Sequence, residues 1–406
     1  MEITPGLRRG PPPEPLPEAD QQLVGRIRDE ILDRGPITFA RFMELALYDP
    51  ELGYYRAAQA RPGRAGDFLT APETHPIFGR VMAGVLDEMW RLLERPDPFV
   101  LREYGAGSGT LALAILHGLR ADGSALLEAL RYEPIEIGER RRAELAAGLA
   151  EAGFADRLAI DPPAPETGPG PGRQAGRRRT GCVIANEFLD ALPFHRFEWR
   201  AGQLRELYVD WRDGRFVDHP GPPSTPALAE RLAAEGIVPV DGQRGEICLA
   251  LDGWVAEAAG ALERGFVLVI DYGHPASELY GPARRDGTLR AYVRHRVGAD
   301  PYARVGRQDL TAHVDLTALL RAAARSGLTE LGLTTQAEFL VGAGIGERLE
   351  AIRNDPATTL ADYLELRASL MRLLDPAATG RFRVIALGRD LPPGTGLSGF
   401  GYRVRR

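Results

Sequence analysis

Apolar positions along the chain switch between two periods, and the switches predict helices alternating with strands. Leu23, Val24, Ile27, Ile31 and Leu32 recur at helical spacing within Gln22–Gly35, and Thr38 is placed to cap a second helix over FARFMELALY. A third helix is predicted over Val81–Leu93, closed by Arg95-Pro-Asp-Pro98. The pattern then shortens to apolar runs of strand length at Phe99–Leu101, Leu130–Ile135, Arg157–Ile160, Cys182–Ala185 and Phe266–Ile270. The last run is nearly continuous, as in a strand buried on both faces. Helical spacing fills the gaps at Leu111–Leu119, Glu139–Ala152 and Gly253–Arg264. Leu331–Thr335 and Phe382–Leu387 read as later strands, and Asp315–Ser326 and Tyr363–Leu374 as later helices. Such alternation predicts an α/β fold built on a Rossmann-like doubly wound sheet.

Other stretches mark additions to that core. Residues 1–20 are Pro-rich and predict a disordered tail. Residues 21–97 form a helical N-terminal region. Within it, Arg64–Gly79 (RAGDFLTAPETHPIFG) has loop composition yet carries Phe68, Leu69, Ile77 and Phe78, so it should fold over the site as a lid. The core is expected over 98–194 and 251–406, split by a β-rich insertion over 195–250. There His195–Trp199, Leu204–Trp211 and Arg215–Val217 alternate around AGQ and RDG turns. Asp161–Gly181 reads as a Pro/Gly/Arg surface loop, and 281–314 is again loop-rich.

The chain's organising stretch is EYGAGSGT, Glu103–Thr110, which lies between a strand and a helix. Gly105, Gly107 and Gly109 allow a sharp bend and close approach of a ligand, and the following helix offers free N–H groups to an anion. The spacing is GxGxG rather than the dinucleotide GxGxxG, which favours an adenosine ligand with a carboxylate tail, such as S-adenosylmethionine, over NAD. Glu136, after the second strand, is placed to take ribose hydroxyls, with Glu133 as a rival. The strand ends carry Glu103, Glu136, Asn186 with Glu187, and Asp271, which together predict one lined crevice.

The 406 residues carry net charge −6, so no overall basic field draws the chain to nucleic acid. All 50 basic residues are arginine, which removes lysine from every catalytic role. Cys182 and Cys248 fit no zinc or redox spacing, and no metal site is expected. No apolar run reaches the length of a membrane span and the first residues lack a signal-peptide core, which gives the expectation of a bacterial cytoplasmic protein. An exposed edge in the insertion is a place where two chains could pair as a homodimer.

Taken together, GDFLTAPE, EYGAGSGT, NEFLDALP, IDYG and GTLRAYVRHR with DLTAHVD resemble the MidA family. That group of S-adenosylmethionine-dependent methyltransferases includes the mitochondrial complex I assembly factor, a protein-arginine methyltransferase. The resemblance runs from about Ile37 to the C-terminus. It implies a class I methyltransferase core, cofactor contacts at Gly105, Gly107, Gly109 and Glu136, and an arginine of a protein partner as acceptor. Glu103, Asn186 and the lid residue Thr70 are expected to join the cofactor contacts.

The chemistry can also be argued from the residues. A guanidinium is always protonated, so methylating it calls for carboxylates that hold its fork and receive a proton. Glu187 and Asp190 at the fourth strand's tip, with Asp67 and Glu73 in the lid, are the candidates, and His313 is a candidate base. Blander roles stand beside these. Asn186 and Asp190 could cap a helix, Asp67 could close an Asx turn, His313 could be a hydrogen-bonded structural residue, Tyr54 and Tyr55 could line an arginine channel but read more simply as core, and His195 could merely begin a strand. Two other functions remain open, a non-catalytic assembly factor that binds S-adenosylmethionine and an NAD-dependent oxidoreductase.

Overall fold

The computed structural model describes residues 16–56, 75–159, 178–294, 296–356 and 358–402. Its centre is a six-stranded sheet: β1 (Phe99–Tyr104), β2 (Leu130–Ile135), β3 (Arg179–Asn186), β4 (Leu262–Asp271), β5 (Thr329–Thr335) and β6 (Arg383–Arg389). The spatial order is β5-β6-β4-β3-β1-β2. β2, β1, β3 and β4 run parallel, while β6 enters antiparallel between β4 and β5. The strand expected at Arg157–Ile160 is reduced to a 3-10 turn, Ala155–Arg157, and one parallel bridge from Leu158 to Tyr132; Ile160 lies outside the described residues.

Helices cover both faces, as the continuous apolar strands require. Ile77–Leu92, Thr110–Ala121, Glu139–Glu151 and Leu360–Leu374 pack on one side, with Ala250–Ala261 and Leu316–Arg325 on the other. Ile77–Leu92 belongs to this core through Phe78, Val81, Met82 and Trp90, so the expected boundary at residue 97 is not a break in packing.

A second, five-stranded antiparallel sheet comes from the insertion. Its hairpins turn at Ala201-Gly202 and Asp213-Gly214, all four residues with positive φ, as two-residue hairpin loops demand. Its outer strand is Ile37–Thr38, paired with Val209 and Tyr208. The N-terminal helices Gln21–Arg34 and Phe39–Tyr48 therefore share a core with the insertion, through Phe39, Phe42, Phe194 and Phe216. Thr38 caps the second helix through Arg41 N, 3.1 Å from its hydroxyl. Asp20, assigned to the tail from sequence, instead caps the first helix and pairs with Arg307 at 2.7 Å. The loop-rich segment after Gly281 forms a small sheet of Arg290–Val293, Arg296–Gly298 and Asp309–Thr311.

Candidate active site

The glycine turn leaves β1 with φ values of 68, 55 and 84° at Gly105, Gly107 and Gly109. Only glycine adopts such angles freely. The turn is pinned by Gly105 N to Ile135 O and Gly109 N to Ala106 O, both 2.9 Å. A Cβ at Gly105 would strike the Phe188 ring and one at Gly109 would strike Leu145, each at 2.9 Å. At Gly107 no atom of the described residues lies nearer than 4.0 Å, so among them this face of the turn is open.

Glu136 stands directly against the turn. It accepts from Gly107 N at 2.9 Å and Gly138 N at 2.7 Å. Its rival Glu133 is occupied by Arg102 and Arg179, at 2.8 and 3.0 Å, and takes no part. Glu103 departs from expectation. Its side chain is buried and accepts from the Tyr132 hydroxyl at 2.6 Å, so it supports the sheet and lines no crevice. Burial pushes its carboxyl from 4.5 to about 7, opposed by the Tyr132 bond and assisted by Glu136.

At the tip of β3, Glu187 takes φ 51° and donates its N–H to Ile270 O at 2.8 Å. No capped helix follows, contrary to one sequence reading. A 3-10 turn, Leu189–Ala191, is held by Asp271, whose Oδ2 accepts from Phe188, Leu189 and Asp190 N–H at 3.2, 2.8 and 3.3 Å. Asp271 Oδ1 takes Tyr272 N at 2.8 Å. Asp271 is thus a buried loop anchor, not a residue of the crevice wall. Asn186 Nδ2 lies 3.4 Å from Glu187 Oε1, while Asn186 Oδ1 is buried and meets no donor among the described residues.

Asp190 is the electrostatic centre. Burial lifts its carboxyl well above the usual carboxylate range, and Asp271, Asp309 and Glu187 lift it further. Asp309 was overlooked from sequence although it opens the DLTAHVD segment. It is buried, and accepts from Tyr55 Oη at 2.7 Å and Leu310 N at 2.9 Å. Tyr48 donates to Ala191 O at 2.8 Å, and its ring lies 5.4 Å from that of Tyr55. Tyr55 therefore reaches the site, where sequence favoured plain core packing, whereas Tyr54 is buried in the N-terminal core. Tyr292 sits opposite Asp309 in the small sheet, and Tyr272 follows Asp271.

His313 stacks on Tyr272 with centroids 5.9 Å apart and planes 11° apart. Its backbone N–H donates to Thr288 Oγ1 at 3.0 Å, while the ring's Nδ1 is buried without a partner among the described residues. Burial, then His274 and the arginines 284, 381 and 290, lower its imidazole to about 3, so it is neutral. The charge it would gain as a base is opposed by this surrounding. His195 begins its strand and bonds Glu206 at 2.7 Å. Asp67, Thr70 and Glu73 lie outside the described residues. Among the described residues no group of three or more His, Cys, Asp or Glu could hold a metal ion, and no helix is long and apolar enough to cross a membrane.

The residues present suit an adenosine cofactor: an open glycine face, a carboxylate against it, a helix N-terminus and an unsatisfied Asn186 carbonyl oxygen. Residues 81–334 match the family described as "Putative S-adenosyl-L-methionine-dependent methyltransferase". The mitochondrial protein arginine methyltransferase NDUFAF7 of Mus musculus is 30% identical over 382 residues, covering 88% of this chain and 82% of its own. Its Drosophila melanogaster homolog is 28% identical, covering 94% and 90%. A solved structure from Burkholderia thailandensis, described as a "likely methyl transferase" and bound to S-adenosyl-homocysteine, is 33% identical with a TM-score of 0.82, covering 95% of this chain and 98% of that one. The chain therefore belongs to this family of S-adenosyl-L-methionine-dependent methyltransferases and has their α/β fold.

Proposed function

We propose that this protein methylates an arginine side chain of a protein partner. The observation that carries the reading is the packing of the Glu187–Asp190 loop onto the glycine turn, where the Phe188 ring fills the space a Gly105 side chain would need. Carboxylates for the acceptor are thereby fixed beside the cofactor's turn. The names of the Mus musculus and Drosophila melanogaster relatives agree with an arginine acceptor.

When bound, S-adenosylmethionine supplies a methyl group already activated by its sulfonium. The chain's task is then alignment and proton removal. Glu136 offers acceptors for the ribose hydroxyls, and the turn's N–H groups and the following helix suit the carboxylate tail. Glu187 and Asp190 grip the guanidinium and draw its charge away from the attacking nitrogen. Asp190, with its raised affinity for a proton, takes the one released as the N–C bond forms. Tyr55, Tyr272 and Tyr292 give the guanidinium flat walls. The lid acids Asp67 and Glu73 are proposed to close the site from above, with Thr70 on the cofactor.

The test is transfer of labelled methyl from S-adenosylmethionine to protein in an extract of cells lacking this enzyme, followed by hydrolysis and identification of methylarginine. Glu187→Gln should reduce transfer by about 100-fold or more while S-adenosylhomocysteine still binds. A respiratory complex I subunit or its equivalent is the first acceptor to examine. Label on another residue type refutes the arginine assignment. Cofactor binding without any labelled protein favours a binding protein that performs no transfer.

A further inference from the structure

Tyr272 stands at a seam in the charge around the site. Its phenol is pushed up by burial and by Glu187, Tyr292 and Asp190, while the Arg381 guanidinium, 5.9 Å over its ring, opposes that push. Beyond the ring the surface carries arginines, and among them two histidines whose imidazoles are held below their ordinary range. His313 stacks on Tyr272, His274 lies 5.2 Å from His313, and Arg284 Nη2 donates to His274 Nε2 at 2.8 Å. Arg383 is opposite Asp271 in the β4–β6 register, which puts it on the same sheet edge, and Arg290 pairs with Thr311 two residues before His313.

Many arginines of the chain are paired with carboxylates. Arg26 meets Asp49, Arg102 and Arg179 meet Glu133, Arg196 meets Asp218 and Arg348 meets Asp122. Among the described residues Arg290, Arg381 and Arg383 have no carboxylate within ion-pair distance. Arg383 Nε and His313 Nδ1 are buried without partners among the described residues. The exposed Glu278, 3.2 Å from His274 Nδ1, is the only carboxylate among the described residues bonded to the strip's side chains. A chain of net charge −6 has thus left a group of cations uncompensated at the mouth of its acidic site.

We propose that Arg284, Arg290, Arg381 and Arg383, with His274 and His313, dock an acidic side chain of the protein substrate that lies close in sequence to the arginine held by Glu187 and Asp190. An extended peptide advances about 3.3–3.6 Å per residue, so an acid about two residues from the acceptor arginine would span the Tyr272 ring. Arginine forks match carboxylates in two-bond geometry, and a strip of them next to an acidic pocket selects an alternating sign in the peptide. The inference rests on the arginine-acceptor reading, which supplies the cation on the other side of the seam.

The experiment uses short fluorescent peptides with S-adenosylhomocysteine saturating and binding read by anisotropy. The peptides carry a central Arg or Gln, flanked two residues away by Asp, Asn or Arg. The Asp-flanked arginine peptide should bind about tenfold more tightly than the Asn-flanked one, a preference weakened by salt. Arg381→Gln combined with Arg284→Gln should bring the two within twofold, with S-adenosylhomocysteine affinity unchanged. Arg381→Glu should reverse the preference toward Arg flanks, which no unfolded variant can do. Absence of the preference in the wild type, or its persistence in the double variant, overturns the proposal. Tight binding of Asp-flanked peptides irrespective of the central residue would keep the acidic dock and remove the arginine reading.

Discussion

Gly107 is where the demands of the backbone and the cofactor can be separated. The three turn glycines have left-handed φ, and a side chain in that region costs about 1–2 kcal/mol. At Gly109 a Cβ would also sit 2.9 Å from Leu145 Cγ, a buried side chain with little room to give, adding about 1–3 kcal/mol of overpacking. At Gly107 the nearest atom among the described residues is Gly105 O at 4.0 Å, so Gly107→Ala carries the conformational cost alone, about 1–2 kcal/mol. The methyl would project into the open face assigned to the cofactor. Urea unfolding without ligand should therefore rank Gly109→Ala as the more destabilised. Calorimetry should rank Gly107→Ala as the poorer binder of S-adenosylhomocysteine, by about tenfold or more. Binding by Gly107→Ala within twofold of wild type would mean that the open face is not the cofactor's.

Two further substitutions test the supports beneath the site. Asp271→Ala strips the N–H groups of Phe188, Leu189, Asp190 and Tyr272 of their acceptor; relief of a buried charge offsets part of the loss, leaving about 2–4 kcal/mol in urea unfolding together with loss of transfer, and wild-type stability would show that the loop is held by something else. Folded Glu103 keeps its proton to about 7 whereas the unfolded chain releases it near 4.5, so the folded state binds more protons between those values and the wild type loses stability as pH rises through that window. Glu103→Gln lacks this slope and should gain on the order of 3 kcal/mol relative to wild type between pH 4 and 8, read from denaturant midpoints; parallel curves would refute the buried-acid account.

Much of the sheet was legible because parallel strands buried on both faces write themselves as apolar runs, and Phe266–Ile270 is the clearest. The placement of β6 between β4 and β5 was not, since an apolar strand reads the same in either direction. Nor did local periodicity reveal that Ile37–Thr38 joins the insertion's sheet, which is a pairing across about 170 residues of chain. In the site, Glu136 and the glycines were legible as a local motif. Glu103 and Asp271 were misread because a strand-end acid can point into the sheet or out of it, and only the partners, Tyr132 and four backbone N–H groups, decide. Asp309 escaped as a site residue, and Tyr55 read more simply as core than as a channel wall, for the opposite reason: each sits in a segment whose proximity to β3 is wholly tertiary.

That tertiary gathering decides which carboxylate can act. Like charges brought together in a partly buried site raise one another's proton affinity unless donors compensate them. Asp271 has four backbone N–H groups, which oppose without cancelling the burial that pushes its carboxyl up to about 7, and Asp309 has the Tyr55 hydroxyl with Leu310 N–H. For Asp190 the opposing contribution is a single backbone N–H, from Ala191, set against burial and three acidic neighbours. It has the least relief of the three, and the acid limb of the transfer rate should report it above the ordinary carboxylate range. Asp309→Asn keeps an oxygen for Tyr55 and Leu310 while removing one negative neighbour, so the limb should move to lower pH by on the order of one unit. Measured with saturating S-adenosylmethionine, a limb that stays put or moves upward would take the proton away from Asp190 and give it to another group.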